Sequence, residues 1–335
     1  MKKFLTRLFL LPLNLHLFDG QLNTNTTGTD GLSDEMKTYY SDYLIDLVEP
    51  ELVHDLFAQK HPIPKNGGKT IEFRQWDTLP EMLTPLTEGV TPDGQSLSMS
   101  TVTATVEQYG GYVTLSDMLM LTAIDPVLIV ATKAIASQAG RSLDTVSREV
   151  LNSGTVVQYA EGTVSSRAAL TYTDAESNHN LTAKAIKMAV RFLESQDAPK
   201  IDGYYVGIVH PYCKFDLTND EDWKRPHEYV DTENIYQNEI GELYGVRFVQ
   251  SSRAKKFEGA GAAGADVYST LIMGADAYGT TEVTGGGLQH IVKQLGSAGT
   301  ADALNQRATC GWKATKVTEL LVPQYIVRIE TTATP

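Results

Sequence analysis

Cysteine is nearly absent: the 335 residues hold two, Cys213 and Cys310. A zinc module built on clustered cysteines and a disulfide-stapled scaffold are both excluded, and two free buried thiols are expected rather than a bridge. Positive charge is scarce as well. Lys and Arg number 28 against 41 Asp and Glu, a formal net charge of −13. Such a surface repels phosphate, which argues against a reader of DNA sequence. No stretch approaches the roughly 18 apolar residues of a membrane span. Met1–Phe18 starts basic and turns apolar like a secretory leader, but Arg7, Pro12, Asn14 and His16 interrupt it and no small-x-small cleavage site follows. Leu13, Leu15 and Leu17 alternate there, as in an extended arm laid on another surface. What remains is a chain with 42% hydrophobic and 21% charged residues, the composition of a globular protein large enough for two domains or one composite one.

Gln21–Gly31 is rich in Asn, Thr and Gly and reads as a linker. Ser33 caps a helix carrying Met36, Tyr39, Tyr40, Tyr43, Leu44 and Leu47, and a short helical stretch, Glu51–Gln59, is expected after Pro50. Thr70–Trp76 and Thr101–Val106 alternate polar and apolar, so both read as strands. The Pro- and Gly-rich excursion between them predicts a two-stranded arm with a loose tip. Such a ribbon is marginal alone and must lie against its own domain or a neighbouring subunit. The longest helical pattern runs from Asp125–Pro126 to about Ser153, with Val127, Val130, Ala131, Ala134, Ile135, Leu143, Val146 and Val150 in period and Gly154 ending it. Thr182–Ser195 is a second amphipathic helix, with Ile186, Ala189, Val190 and Leu193 on one face. Gly203–His210 reads as a buried central strand. Pro211–Trp223 reads as a short helix and a loop, Tyr244–Val249, Val267–Met273 and Ile291–Leu295 as strands, and Gly259–Gly264 as a flexible loop. Thr309–Ile329 divides into two strand segments separated by Glu319–Val322.

The motifs that carry chemistry are weak. Gly259, Gly261 and Gly264 match G-x-G-x-x-G, but charged residues precede them and a β-rich stretch follows, where a dinucleotide needs a strand before and a helix after. His210 and Cys213 are two of the three or four ligands zinc needs, so His210 is expected to be structural. Asp216, Asp220, Glu221, Asp222, Glu228, Asp231 and Glu233 form an acidic stretch that reads as a solvated loop rather than a catalytic pair. No serine elbow, phosphate loop or H-E-x-x-H occurs. No catalytic residue, cofactor or metal site is therefore assigned, and the chain is not expected to be an enzyme.

The order of several blocks is informative. Leu13–Phe18, Gly31–Tyr40, Leu86–Pro92, Gln108–Asp117, Gln138–Asp144, Val150–Gly154, His210–Pro211, Gly274–Gly279 and Gly311–Lys313 together resemble the N4-gp56-like family of tailed-bacteriophage major capsid proteins over almost the whole length. The resemblance implies an α+β, HK97-type fold. Residues 1–59 would form the N-terminal arm and first helices, 60–116 the β-ribbon called the E-loop, and 117–200 a P-domain with its spine helix at about 126–153. Residues 201–304 would form the A-domain, and 305–335 the strands returning to the P-domain. The implied function is a virion shell that self-assembles from hexamers and pentamers in the host bacterial cytoplasm. It would enclose double-stranded DNA without reading it, with portal and scaffolding or decoration proteins as partners and no membrane. Arg74, Trp76 and Glu88 are candidates for inter-subunit contacts, with local stabilisation of the hairpin as the competing role for Arg74 and Trp76. Tyr278 and Trp312 are expected in the core. Some relatives cross-link through an E-loop lysine; Leu79–Ser100 has none, Lys65 and Lys69 sitting near the ribbon base, so no covalent chainmail is expected. An encapsulin-like cellular shell, a hydrolase using the acidic stretch and an exported β-rich binding protein are the alternatives.

Overall fold

The structure, a computed structural model, describes residues 24–27, 53–77, 79–91, 93–122, 127–172, 179–227, 239–281, 283–297 and 302–335. The helix expected after Ser33 and most of the N-terminal arm lie outside the described residues. Along the chain, β1 (Thr24–Thr27) and β2 (Gln59–Lys60) precede a hairpin of β3 (Thr70–Trp76) and β4 (Met99–Thr105). Strand β5 (Glu107–Ser116) leads into α1 (Asp117–Thr122) and the long helix α2 (Val127–Leu151). Then come β6 (Val157–Tyr159), α3 (Ala183–Ser195), β7 (Tyr205–Val209), α4 (Pro211–Asn219) and α5 (Glu221–His227). The remainder is strand: β8 (Glu239–Leu243), β9 (Val246–Gln250), β10 (Lys256–Phe257), β11 (Val267–Met273), β12 (Tyr278–Thr281), β13 (Gln289–Lys293), β14 (Arg307–Leu320) and β15 (Ile326–Thr331).

The first sheet is built on β14, which pairs antiparallel with β5 from Arg307 opposite Ser116 to Lys316 opposite Glu107. β13 and β12 pair with other parts of β14, β1 runs parallel to β5, and β2 runs parallel to β12. Alternate residues of β14 (Ala308, Cys310, Trp312, Ala314, Lys316 and Thr318) are buried. Cys310, Trp312 and Ala314 pack under Ile135, Ala136, Ala139 and Leu143 of α2. The expected division near Glu319 falls slightly later: the polar–apolar alternation holds through to Leu320, and the strand stops only before Pro323. Helix α2 would be about 38 Å long at 1.5 Å per residue. Val130 and Ala134, read as part of its apolar face, are exposed. The buried stripe instead takes in Thr132, Asp144 and Ser147, polar residues whose partners lie inside the fold.

The second sheet has the order β6-β15-β11-β7-β9-β8, with β10 added on β11. All of β7 and β11 is buried, including the polar Ser269 and Thr270 of β11. One face carries α3 through Ile186, Ala189, Val190 and Leu193. Thr182 caps that helix, its side chain accepting from Ala185 N at 3.3 Å. The other face packs Val206, Ile208, Leu271 and Met273 against Leu151 and Tyr278, which joins the two sheets. Pro211–Trp223 holds α4 and the start of a second helix, α5, in place of the expected loop. Gly259–Gly264 is a closed turn: Gly261 N donates to Ala265 O at 2.9 Å and Ala262 N to Leu170 O at 2.7 Å. Two-residue β10 enters it and no α-helix leaves it, so the G-x-G-x-x-G match lacks its phosphate-binding context.

The described part of the expected helix at Glu51–Gln59 is a different structure. Residues 54–57 form turns, with Ala58 N donating to Asp55 O at 3.4 Å. Tertiary bonds explain this. His54 is buried, its backbone N donating to Asp144 Oδ1 at 3.0 Å and its ring Nδ1 lying 2.9 Å from both carboxylate oxygens. The Asp55 carboxylate accepts from Ser147 Oγ at 2.5 Å and from Lys316 Nζ, which also donates to Leu143 O at 3.1 Å. The Tyr278 hydroxyl donates to His54 O. This clasp fastens the chain before the ribbon to the middle of α2 and to β14.

Burial alone would raise the Asp144 carboxyl, but hydrogen bonds and charge from His54, with Lys316 beyond, outweigh it and hold its pKa below the ordinary value. A depressed folded pKa means that the carboxylate stabilises the fold above the unfolded value of about 4, and that this contribution is lost as pH falls through the folded value. Asp144→Ala is expected to cost about 1–3 kcal/mol in denaturant unfolding of the dissociated subunit, because it leaves the buried His54 backbone N–H and ring nitrogen without their partner. Asp144→Asn is expected to flatten the loss of stability on acidification below about pH 4. An unchanged acid limb would remove Asp144 from this role.

Candidate assembly surfaces

Strands β3 and β4 pair with each other from Thr70 opposite Thr105 to Trp76 opposite Met99, and they form a sheet of their own. The arm so formed is shorter than the 60–116 span expected for the ribbon. The last part of that span, Glu107–Ser116, is β5 and pairs with β14. The ribbon is anchored at its base. Val106 N donates to Lys69 O at 2.9 Å, and the Phe73 ring rests so closely on Gly279 that a Cβ there would stand 3.1 Å from it. Further out, Asp77 N donates to Ser98 O at 3.1 Å, and the Asp77 carboxylate accepts from Ser98 Oγ at 2.7 Å. At the tip, Val90 N donates to Thr87 O at 3.2 Å, with Gly89 at φ +77°, the conformation that a type II turn demands of its third residue.

No described residue covers the outer part of this arm. Of the eighteen large apolar side chains exposed among the described residues, eight lie between positions 76 and 99: Trp76, Leu79, Met82, Leu83, Leu86, Val90, Leu97 and Met99. A contiguous stretch of this kind marks an interaction surface. Arg74, Trp76 and Glu88 all sit on the ribbon and all are exposed. Arg74 and Trp76 share a strand face. Arg74 Nη2 lies 3.6 Å from Glu72 Oε2, and Trp76 stands opposite Met99 while remaining 64% exposed. Glu88 is in the tip turn, remote from both. Tyr278 and Trp312 are buried, as core residues. Sequence reading did not name Leu83, Leu86 or Val90 as contact residues, although Leu86 and Val90 lie in the Leu86–Pro92 block. They were legible as apolar residues inside a Pro- and Gly-rich segment, a place where periodicity assigns them no face.

A second surface lies on the first sheet, on the side away from α2. Here the cross-strand rows Tyr112–Gly311–Ile291 and Thr114–Thr309–Lys293 run beside the Gly110–Lys313 pair, with Tyr112, Ile291 and Lys293 exposed and Thr114 and Gly311 buried beneath them. They line a groove of about 650 Å³. Its floor is shallow at Gly311 for a reason: a Cβ there would stand 2.9 Å from Tyr112 Cβ and 3.0 Å from Gly111 O. Tyr112 is 68% exposed. Lys293, Lys313 and Arg307 line the groove, and among the described residues no carboxylate does.

The cysteines, His210 and three carboxylates of the acidic stretch are engaged in structure. Cys213 and Cys310 are free and buried. Burial pushes the Cys213 thiol up to about 12. Burial also raises Cys310 and lowers His290, whose Nε2 lies 3.2 Å from its sulfur, so this pair holds a neutral thiol beside a neutral ring. His210 caps α4, its Nδ1 accepting from Tyr212 N at 3.3 Å. In the acidic stretch, Asp216 accepts from Thr334 N at 3.0 Å, Asp220 from Ala183 N at 2.9 Å, and Asp222 from Lys187 Nζ at 3.0 Å. Glu228, Asp231 and Glu233 lie outside the described residues. Among the described residues no three His, Cys, Asp or Glu side chains gather as metal ligands, and no helix is long and apolar enough to cross a membrane.

A family model described as phage capsid protein matches residues 100–328. The fold is similar to the capsid of Ralstonia phage GP4, at 14% identity and a TM-score of 0.66 over 84% of this chain and 88% of that one. It is also similar to the cyanophage Pam1 capsid, at 14% identity and a TM-score of 0.65 over 83% and 89%. The holo-SrpI encapsulin complex from Synechococcus elongatus shares the architecture less closely, at 9% identity and a TM-score of 0.51 over 85% and 89%. No curated protein sequence matches the chain. These likenesses establish the HK97-type, α+β fold.

The ribbon side chains separate assembly from folding. Leu83→Ser with Leu86→Ser, and separately Trp76→Ala, are expected to leave the unfolding midpoint of the dissociated subunit within about 0.5 kcal/mol of the parent, because these side chains are exposed. The yield of large particles, read by light scattering, is expected to fall. A destabilised subunit would assign Trp76 to the hairpin itself.

Proposed function

The chain belongs to the phage capsid protein family, and from that premise we propose that it is a major capsid protein of the N4-gp56-like kind. Copies of it close as hexamers and pentamers into an icosahedral shell around packaged double-stranded DNA. The observation that carries this reading is the ribbon, an arm with eight exposed large apolar side chains and no core of its own. In this reading the span 60–116 is the E-loop, its free part being 70–105, and it lies across an adjacent subunit through Arg74, Trp76 and Glu88. Residues 1–59 serve as the N-terminal arm. Residues 117–200 and 305–335 make the P-domain with α2 as its spine, and 201–304 make the axial A-domain. A net charge of −13 suits a wall that must not hold the packaged DNA.

Portal and scaffolding or decoration proteins would complete the particle in the cytoplasm of the host bacterium. The role is structural, and no catalytic step is assigned to any residue. An encapsulin-like shell would share the fold but carry no genome, so nuclease-protected DNA inside native particles discriminates between the two.

Size-exclusion chromatography with light scattering is expected to show closed particles or capsomer-sized rings, with scaffold present if assembly requires it. A stable monomer under both conditions, with its ribbon protected from proteolysis, would overturn the shell reading. The mature shell is expected to dissolve into single chains in hot SDS, because no lysine lies between Leu79 and Ser100 to form an isopeptide bond. A ladder of covalent oligomers would show that a lysine outside the tip is used.

A further inference from the structure

Helix α4 begins on a cap that can take up a proton. His210 occupies the N-cap position with extended backbone, φ −76° and ψ 147°, and Pro211 follows as the first helical residue. Proline brings no N–H, so Tyr212 N is the first amide of the helix that needs an acceptor. His210 Nδ1 fills that need at 3.3 Å. A ring nitrogen accepts only while it carries no proton, so this bond requires the neutral imidazole with its proton on Nε2. The same ring belongs to a cluster of three. It lies parallel to Tyr212, 6° between planes and 5.4 Å between centres, and its centre is 4.8 Å from that of the buried Tyr268 of β11. Serine, threonine or asparagine would cap the helix without titrating; histidine ties the cap to the state of one proton.

We propose that His210 is a pH switch for α4: neutral, it holds the first turn and the ring cluster together, and protonated, it releases them. This goes beyond the shell reading and does not depend on it. A protonated ring would set its own N–H against that of Tyr212, and would place a cation at the positive end of the helix dipole. Lys256 of β10 is the charged group that opposes protonation from outside the helix. Its Nζ lies 6.0 Å from the Tyr268 ring centre, 2.7 Å from Asp266 Oδ2 and 3.9 Å from Glu258 Oε1. On α4 itself, Lys214 Nζ donates to Gln250 Oε1 of β9 at 2.8 Å, Asp216 accepts from Thr334 N, and the Cys213 thiol is neutral. Among the described residues no carboxylate pairs with the His210 ring. Cation–π attraction from the two tyrosines would favour the imidazolium. Burial and then Lys256 outweigh it and hold the His210 pKa below the ordinary value. The unfolded chain therefore takes up the proton first. The cap contributes in full above about pH 6.5 and is lost as pH falls toward and through the folded value. The switch governs a surface, because Tyr212 and Phe215, three positions apart on the helix, are both exposed.

The test is hydrogen exchange of the full chain read by mass spectrometry between about pH 7.5 and about pH 5, corrected for the intrinsic pH dependence of exchange. Protection of the peptide spanning Tyr212–Phe215 is expected to fall about fivefold or more on acidification, the usual effect of losing an N-cap, while that of α3 stays level. His210→Asn keeps an acceptor at the cap and has no proton to take up, so its protection is expected to stay level across the range. Lys256→Gln removes the neighbouring cation and is expected to move the midpoint of the parental fall to higher pH. Parental protection that stays level, or a fall that His210→Asn reproduces, would overturn the switch. If His210→Asn does not fold, Lys256→Gln decides, and a midpoint that does not move overturns the switch as well. None of these readouts requires particles to form, so the shell reading stands or falls separately.

Discussion

The pairing of β14 with β5 fixes two surfaces at once. A strand sends alternate side chains to opposite faces, so one register decides what is buried and what is bare. With Gly311 opposite Tyr112, the residues Cys310, Trp312 and Ala314 point at α2, and Lys313 and Thr309 point away from it. A slip by one residue would push Lys313 under the helix and expose Trp312. The apolar demand of the helix therefore sets the composition of the outer face as well. The Trp312 indole reinforces the register, its Nε1 donating to Gln138 Oε1 of α2 at 3.1 Å.

Buried polar groups then select one arrangement of the remaining parts. The clasp of His54 and Asp55 satisfies its carboxylates from three separate elements, so the chain before the ribbon can seat in one position only. A second node does the same at the far sheet. Glu330 is fully buried and accepts from Arg167 Nε and Nη2, both at 2.7 Å, while the Arg167 guanidinium lies 3.5 Å from the centre of the Phe257 ring. The Glu330 hydrogen bond raises the Arg167 pKa above its already high value. Such pairs contribute modestly to net stability because desolvation opposes them, but breaking one leaves an uncompensated charge inside. Their effect is to make misplacement costly, which suits a subunit whose outer faces must match those of its neighbours.

Elements whose determinants are local were legible in the sequence. The alternation in Thr70–Trp76, the capped amphipathic pattern of Thr182–Ser195 and the apolar run at Gly203–His210 each named its own structure. The order of short blocks along the chain carried the family and, through it, the fold. What escaped depends on partners remote in sequence. Residues 54–57 turn rather than coil because Asp144 lies 90 positions away and Lys316 still further. Val130 and Ala134 looked buried because an apolar count cannot know that Asp144 and Ser147 have partners inside. The groove was invisible for the same reason. Its rows join residues near 110, 290 and 311, and only strand pairing brings them together. The exposed leucines of the ribbon were visible but uninterpretable until the arm was seen to stand clear of the subunit.

The ribbon shows how a shell subunit can be both soluble and adhesive. Fully burying a Leu or Met side chain stabilises by about 1.5–3 kcal/mol, so covering even part of the tip could hold a neighbour once the entropy of docking is met. Part of that entropy is met in advance. Seven cross-strand pairs, the Asp77–Ser98 bonds and the Gly89 turn shape the arm before contact, so little ordering remains to oppose association. The four carboxylates at the tip repel the acidic surface elsewhere on the chain and so keep the apolar side chains from pairing at random. A tip made only of leucine would bind any exposed patch, and one made only of acid would bind weakly. The combination favours a site that is both apolar and cationic.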